Sequence, residues 1–409
     1  MCHYIFMHFR LRKKRIYLDY AAATPVRKEV LKKMKPHMYS HFGNAGAIHA
    51  EGVFAKKSIA EARERLASTL RIRPEGIVFT ASGTESNNLA LLGVIESLHR
   101  KGRAYADMEV VSSAIEHASV LEVLMYLQSK GVVMRYVAVD AQGVISLPSL
   151  QECLTEKTVL VTFAYVNSEI GTIQPIRKIA RTVRKFQKDT HTQIHIHSDA
   201  AQAPLWLPCA LDQLACDSLT LDAGKCYGPK GIGVLAFTHG VSLIPLYFGG
   251  GQEAGYRPGT ENTASIVGAV ESLCIAQELY EERSVKTVAL RDMFITELLT
   301  LEGCILNGSR EDRVANNVHI SIPGVDSEFA VICLDEAGIA CATKSACGGA
   351  KGDGSTVVRA ITGDNARSKS TIRFTLGEAT TKSEIRSTVN VLRSHIAIVS
   401  AQMDYLTKK

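Results

Sequence analysis

No C-x-x-C pair occurs among the ten cysteines of this 409-residue chain. Scattered singly, they read as reduced thiols, most of them small core residues, and no metal site is expected from them. No apolar run approaches the roughly 20 residues that cross a bilayer, so no membrane partner is expected. A secretory signal is missing too. The apolar stretch Tyr4 to Phe9 is short, and it precedes the basic cluster Arg10 to Arg15 where a signal would follow one. With reduced thiols, that points to a cytoplasmic protein. Neither a basic helix nor interleaved aromatics continue the cluster, which reads as a solvated face, and direct nucleic-acid binding is not expected. The net charge of +6 is mild and argues for no particular partner. Internal repeats and low-complexity linkers are absent. What remains, 46% hydrophobic and 22% charged, is an ordinary globular protein of one large or two moderate domains.

What is present is an alternation. Strand-like runs at Gly76 to Thr80, Glu109 to Ser112, Val133 to Val139, Val159 to Ala164, Ile194 to His197, Ser218 to Leu221 and Gly233 to Phe237 are mostly separated by helical stretches. The pattern predicts an α/β protein whose large domain, residues 16–264, holds a mostly parallel seven-stranded sheet covered on both faces. Ligands of such sheets bind beyond the carboxyl ends of the strands. Near residue 265 the rhythm changes to long helical patterns, Ala264 to Glu282 and Ser284 to Thr300. Two strands and further helices follow, which predicts a smaller α/β domain over 265–409, and the first residues could pack on it.

The large domain converges on one lysine. Ser218 to Leu221 is a buried-strand pattern, and Asp222-Ala-Gly-Lys225 delivers Lys225 at its mouth. Gly228, Pro229 and Gly231 turn the chain before the next strand. Partial desolvation lowers a lysine pKa, and only the neutral amine attacks a carbonyl. Alone, a Gly-Lys pair is an ordinary solvated turn. It is no Walker loop, since Leu219 stands where a glycine is needed and Cys226 replaces the Ser/Thr. Gly228 to Gly233 also departs from the dinucleotide spacing.

Other strand ends supply companions. Thr80 to Ser86 opens a helix with small hydroxyl residues and Gly83, which suits either an anion site or a simple capping box. His117 follows the second strand and Asp199 ends another. A carboxylate beside a pyridine nitrogen keeps that nitrogen protonated and makes the ring an electron sink. An anion cradle, an imidazole, an aspartate and a lysine in this order outline a pyridoxal-phosphate site.

On these residues the chain resembles the cysteine desulfurases, IscS/NifS-type, of the class V aminotransferase family, from Tyr17-Leu-Asp to about Thr381. The resemblance implies the fold-type I architecture of pyridoxal-phosphate enzymes. It implies a cofactor held by Lys225, with Gly83 and Thr84 at its phosphate, His117 stacked on its ring, and Asp199 and Gln202 at its nitrogen and hydroxyl. It implies that Thr260, in Arg257-x-Gly-Thr-Glu-Asn262, reaches the phosphate of the other subunit of a homodimer. Asn44 and Arg373 would bind the carboxylate of L-cysteine. Cys347, after Ser345-Ala346 in a glycine-rich polar loop, would attack the substrate sulfur and carry it as a persulfide. The sulfur then passes to an acceptor protein, an iron–sulfur scaffold or a tRNA-thiolation enzyme. Cys341, after Gly338-Ile-Ala, reads as core.

Three stretches depart from the family pattern. Asp222-Ala-Gly-Lys225 replaces Ser-x-His-Lys, putting a carboxylate in the phosphate's neighbourhood and removing an imidazole. Ser168 stands where a second Asn is usual, and Pro258 where Ser is. A selenocysteine lyase or an aminotransferase of the same class stays open as an alternative, as does a cofactor-free dimeric scaffold.

Overall fold

The computed structural model describes residues 15–343 and 354–407. Twelve strands are assigned among them: β1 Ile16–Tyr17, β2 Ile77–Thr80, β3 Glu109–Ser113, β4 Val133–Val137, β5 Thr158–Ala164, β6 His195–Asp199, β7 Ser218–Asp222, β8 Gly233–Phe237, β9 Ile305–Leu306, β10 Asn317–Ser321, β11 Ile339–Ala340 and β12 Thr371–Thr375. Seven form one sheet in the order β2-β8-β7-β6-β5-β3-β4. Only β8 runs antiparallel to its neighbours, β2 and β7. All other carboxyl ends therefore lie along one edge.

Alternate strand residues separate the two faces of this sheet. Phe79, Val111, Val161, Phe163 and Val234 join the helices Ala50–Leu70, Ile176–Thr190 and the first half of Thr263–Leu298 in one apolar core. Val110 and Leu160 pack with the helices Gly83–Arg100 and Ala118–Ser129 in another, and Val78 and Leu235 pack beside the first of these helices. Covered on both sides, β2, β5 and β8 carry near-continuous apolar runs, and Thr80, Ser113, Asp199 and Asp222 stand at the carboxyl ends of β2, β3, β6 and β7.

A second large core gathers Leu18, Phe294, Leu298, Val318, Ile320, Ile372 and Phe374. Its three-stranded sheet runs β12-β10-β9, and β1 pairs in parallel with β11. The two helical patterns expected on either side of residue 283 are one helix, Thr263–Leu298. No glycine or proline interrupts it there, and Arg283 is held inward. Its Nε donates to Glu378 at 2.7 Å and its Nη1 to the Leu205 carbonyl at 2.9 Å. The same helix contributes its first half to one core and its last turns to the other.

Candidate active site

The strand β7 and the turn Ala223–Lys225 place Lys225 at the carboxyl edge of the sheet. The turn that follows leaves no room for a side chain at Gly228. A Cβ there would lie 2.3 Å from Ser272 Oγ and 2.8 Å from the Ala223 carbonyl oxygen. The Lys225 amine makes no hydrogen bond or ion pair among the described residues. It shares one cavity with His117, Asn167, Ser168, Asp199 and Gln202. Four residues expected to meet a cofactor, His117, Asp199, Gln202 and Lys225, on three different segments, are thus brought together.

Asp199 ends β6 and is buried. Its Oδ1 accepts from the Ala201 amide at 2.9 Å, and its Oδ2 accepts from Asn87 Nδ2 at 2.8 Å. A carboxylate only accepts, so the Asn87 amide must turn its NH₂ to Asp199 and its Oδ1 to His197, 3.2 Å away. His197 then donates through Nε2 and accepts at Nδ1 from Ser218 Oγ at 2.8 Å. Burial drives His197 down to about 3, so it stays neutral, as this pattern requires.

The same Asn87 NH₂ donates to Ser119 Oγ at 2.8 Å, and Ser119 Oγ lies 2.8 Å from His117 Nδ1. His117 caps the helix Ala118–Ser129, its Nδ1 accepting from the Ser119 amide at 3.1 Å. Burial lowers the His117 pKa; Asp199 opposes this and Lys225 adds to it. The neutral ring therefore carries its proton on Nε2.

Gly83 and Thr84 open the helix Gly83–Arg100. The capping reading of this stretch is seen directly. Ser82 Oγ accepts from the Glu85 amide at 3.2 Å, and Glu85 Oε2 accepts from the Ala81 amide at 2.5 Å, which makes a reciprocal cap. The amides of Gly83 and Thr84 find no partner among the described residues. Free N–H groups at the positive end of a helix suit an anion.

Arg373 lies on β12, 2% exposed. Its Nη1 donates to the Ser168 carbonyl and its Nη2 to Asp19 Oδ1, both at 2.9 Å. Its Nε is buried without a partner among the described residues. Ser168 lines the Lys225 cavity, so the guanidinium sits just behind that wall with donors to spare.

Asn44 is exposed, its Oδ1 accepts from the Gly46 amide at 2.9 Å, and it does not line the Lys225 cavity. Thr260 lines a different cavity, with Phe79, Thr80, Ala81 and Gly231. Cys347 lies outside the described residues. To Asn87, Ser119, His197 and Asp19 the sequence assigns no role in the site. Asn87 is one turn beyond the Gly83 motif on the same helix face, a signal usable only once Asp199 is known to face it.

One further carboxyl group stands beside His117. Burial pushes Glu116 up to about 8 from an ordinary 4.5, against bonds from Ser113 Oγ and the Ala164 amide, with Asp199 adding to the rise. The folded chain thus holds a proton that the unfolded chain releases above its ordinary range. The stability linked to it is complete below about 4.5 and is lost as pH rises through about 8. Glu116→Gln keeps the shape and removes the titration. Its melting temperature is expected to fall less than the wild type's between about pH 6 and pH 9. Equal slopes in a thermal melt series would show that Glu116 does not titrate there.

The description Aminotransferase class-V matches residues 16–387. The chain is 37% identical to the cysteine desulfurase IscS of Dictyoglomus turgidum, over 93% of this chain and 94% of that protein. It is 36% identical to an IscS cysteine desulfurase of Archaeoglobus fulgidus, over 92% and 95% respectively. Among solved structures, a NifS-like protein superposes with a TM-score of 0.87 at 32% identity, covering 94% of this chain and 100% of that one. A structure described as SspA in complex with cysteine gives 0.75 at 35% identity, covering 89% and 99%. These matches span the chain from its first strand to its last helix, and the protein belongs to the class V aminotransferase family, with a fold-type I sheet at its centre.

Proposed function

We propose that this chain is a pyridoxal-phosphate-dependent cysteine desulfurase, converting L-cysteine to L-alanine and passing the sulfur to an acceptor. The observation that carries this reading is the Lys225 amine, unpaired among the described residues, sharing a cavity with His117 and Asp199. The surrounding groups fit the cofactor: free amides at a helix start for a phosphate, a fixed carboxylate for a ring nitrogen, and an amine for an aldehyde. Bound there, pyridoxal 5′-phosphate supplies an electron sink for a substrate Cα.

Each residue then has its own task. Lys225 would hold the cofactor through its amine, and the same amine is the base placed to take a substrate Cα proton. Asp199, held on both oxygens, keeps a proton on the ring nitrogen. Gln202, its Nε2 tied to the Ala21 carbonyl at 3.0 Å, presents its remaining polar groups at the cavity wall. His117 covers the ring. Arg373, behind the Ser168 wall, is the group for the substrate carboxylate through its unused N–H groups; for Asn44, which stands off this cavity, a carboxylate contact rests on the resemblance alone. Cys347, as thiolate, would attack the substrate sulfur: the S–S bond forms as the substrate C–S bond breaks, its electron pair stays with the carbon, and protonation there gives alanine.

Thr260, away from the Lys225 cavity of its own chain, serves the phosphate of a second copy. The exposed apolar residues Met38, Tyr39, Phe42, Ile48, Val53 and Phe54 support such a homodimer, Ile48 being 98% exposed. The solved SspA–cysteine complex supports L-cysteine as substrate. Eight unpaired cysteines among the described residues accord with a reducing, cytoplasmic setting, and no helix there is long and apolar enough to cross a membrane. The acceptor class is an iron–sulfur scaffold or a tRNA-thiolation enzyme.

The test is direct. Purified protein with added pyridoxal 5′-phosphate should turn yellow, sediment as a dimer, and release alanine and sulfide from L-cysteine. Amino transfer to a keto acid without sulfide would indicate an aminotransferase instead. A preference for selenocysteine would indicate the lyase. A colourless dimer would leave a cofactor-free scaffold.

A further inference from the structure

Asp222 closes β7 and caps the turn that carries Lys225, its Oδ1 accepting from the Gly224 amide at 2.9 Å. Its Oδ2 has no hydrogen-bond partner among the described residues. That oxygen lies 3.5 Å from where a Cβ on Gly83 would stand. The free amides of Gly83 and Thr84 begin at the same place. A carboxylate is therefore packed under the helix start that offers its N–H groups to an anion. Lys230 passes beside Gly224, but its Nζ donates to the Thr24 carbonyl at 2.7 Å and makes no ion pair with Asp222. The charge of Asp222 is left without a salt bridge among the described residues.

We propose that Asp222 sets the cofactor affinity of this chain. Its negative charge offsets much of what the helix start contributes to holding a phosphate, so the protein binds pyridoxal 5′-phosphate loosely and barely prefers it to pyridoxal. This rests on the cofactor reading above. The physical comparison is between two terms of similar size. Aligned amides and the helix dipole attract a phosphate dianion, while a fixed like charge a few ångströms away repels it, with only partial screening at a half-buried site. Gly224 adds no side-chain donor to change that balance.

The aldehyde, ring and amine are common to pyridoxal and its phosphate, so the ratio of their dissociation constants isolates the phosphate end. Both aldehydes are titrated into cofactor-free wild type, Asp222→Asn and Asp222→Ser, read by the visible absorbance of the covalent adduct and by equilibrium dialysis. Asparagine keeps the shape and removes the charge, and serine is a smaller neutral hydroxyl. In both variants the preference for the phosphorylated aldehyde is expected to rise roughly tenfold or more over wild type. Adducts forming with an unchanged preference in both variants overturn this proposal alone. No adduct with either aldehyde in any of the three proteins overturns the cofactor reading, and this proposal with it.

Discussion

Lys225→Ala is expected to stay colourless with added pyridoxal 5′-phosphate and to form alanine from L-cysteine at least ~10⁴-fold more slowly than wild type. The prediction is large because, among the described residues, no other amine lines the cavity that holds His117, Asp199 and Gln202. It also separates chemistry from folding. The Lys225 amine makes no hydrogen bond or ion pair among the described residues, so its removal should change stability by less than about 1 kcal/mol. An absorbance scan and a thermal melt on the same sample read both. A coloured Lys225→Ala protein that still turns over would show that another amine holds the cofactor.

Cys347→Ala should separate a later step. The protein is expected to keep its yellow colour, yet form no protein-bound persulfide and release alanine more than ~100-fold more slowly. The described chain is anchored on both sides of residues 344–353. Ala342 bridges to Arg373, and the Thr343 carbonyl accepts from Thr371 Oγ1 at 2.7 Å. Ser355 Oγ, on the far side, donates to Glu169 Oε2 at 2.6 Å. Three of the described thiols are poor competitors. Burial pushes Cys216, Cys304 and Cys341 up to about 12, which leaves little thiolate at neutral pH. Cys341 also packs against the second core, where its side chain was expected. Normal alanine release by Cys347→Ala would remove this thiol from the mechanism.

Much of the arrangement was readable because it is local. Alternating apolar runs mark strands buried on both faces, and the seven runs expected in the large sheet each hold a strand. Asp199 and Lys225 could be placed at strand ends because the apolar pattern stops just before them. Gly83 could be placed at a helix start because small hydroxyl residues precede an apolar period. The single helix through Arg283 was less readable. Its continuity depends on where one guanidinium finds carbonyls and a carboxylate, far away in the chain.

By itself, the sequence determined the parallel sheet, the carboxyl edge on which the site lies, and the order of the groups delivered to that edge. Backbone periodicity and turn residues act over a few positions and need no partner to be recognised. The tertiary structure alone decided which of those groups meet. It joined Asn87 to Asp199, His197 and Ser119, set Arg373 against Asp19, and turned Asp222 under Gly83. It also kept Asn44 and Thr260 off the Lys225 cavity. Such contacts depend on a few ångströms of packing between segments tens to hundreds of residues apart. Neighbouring residue types carry no record of those distances.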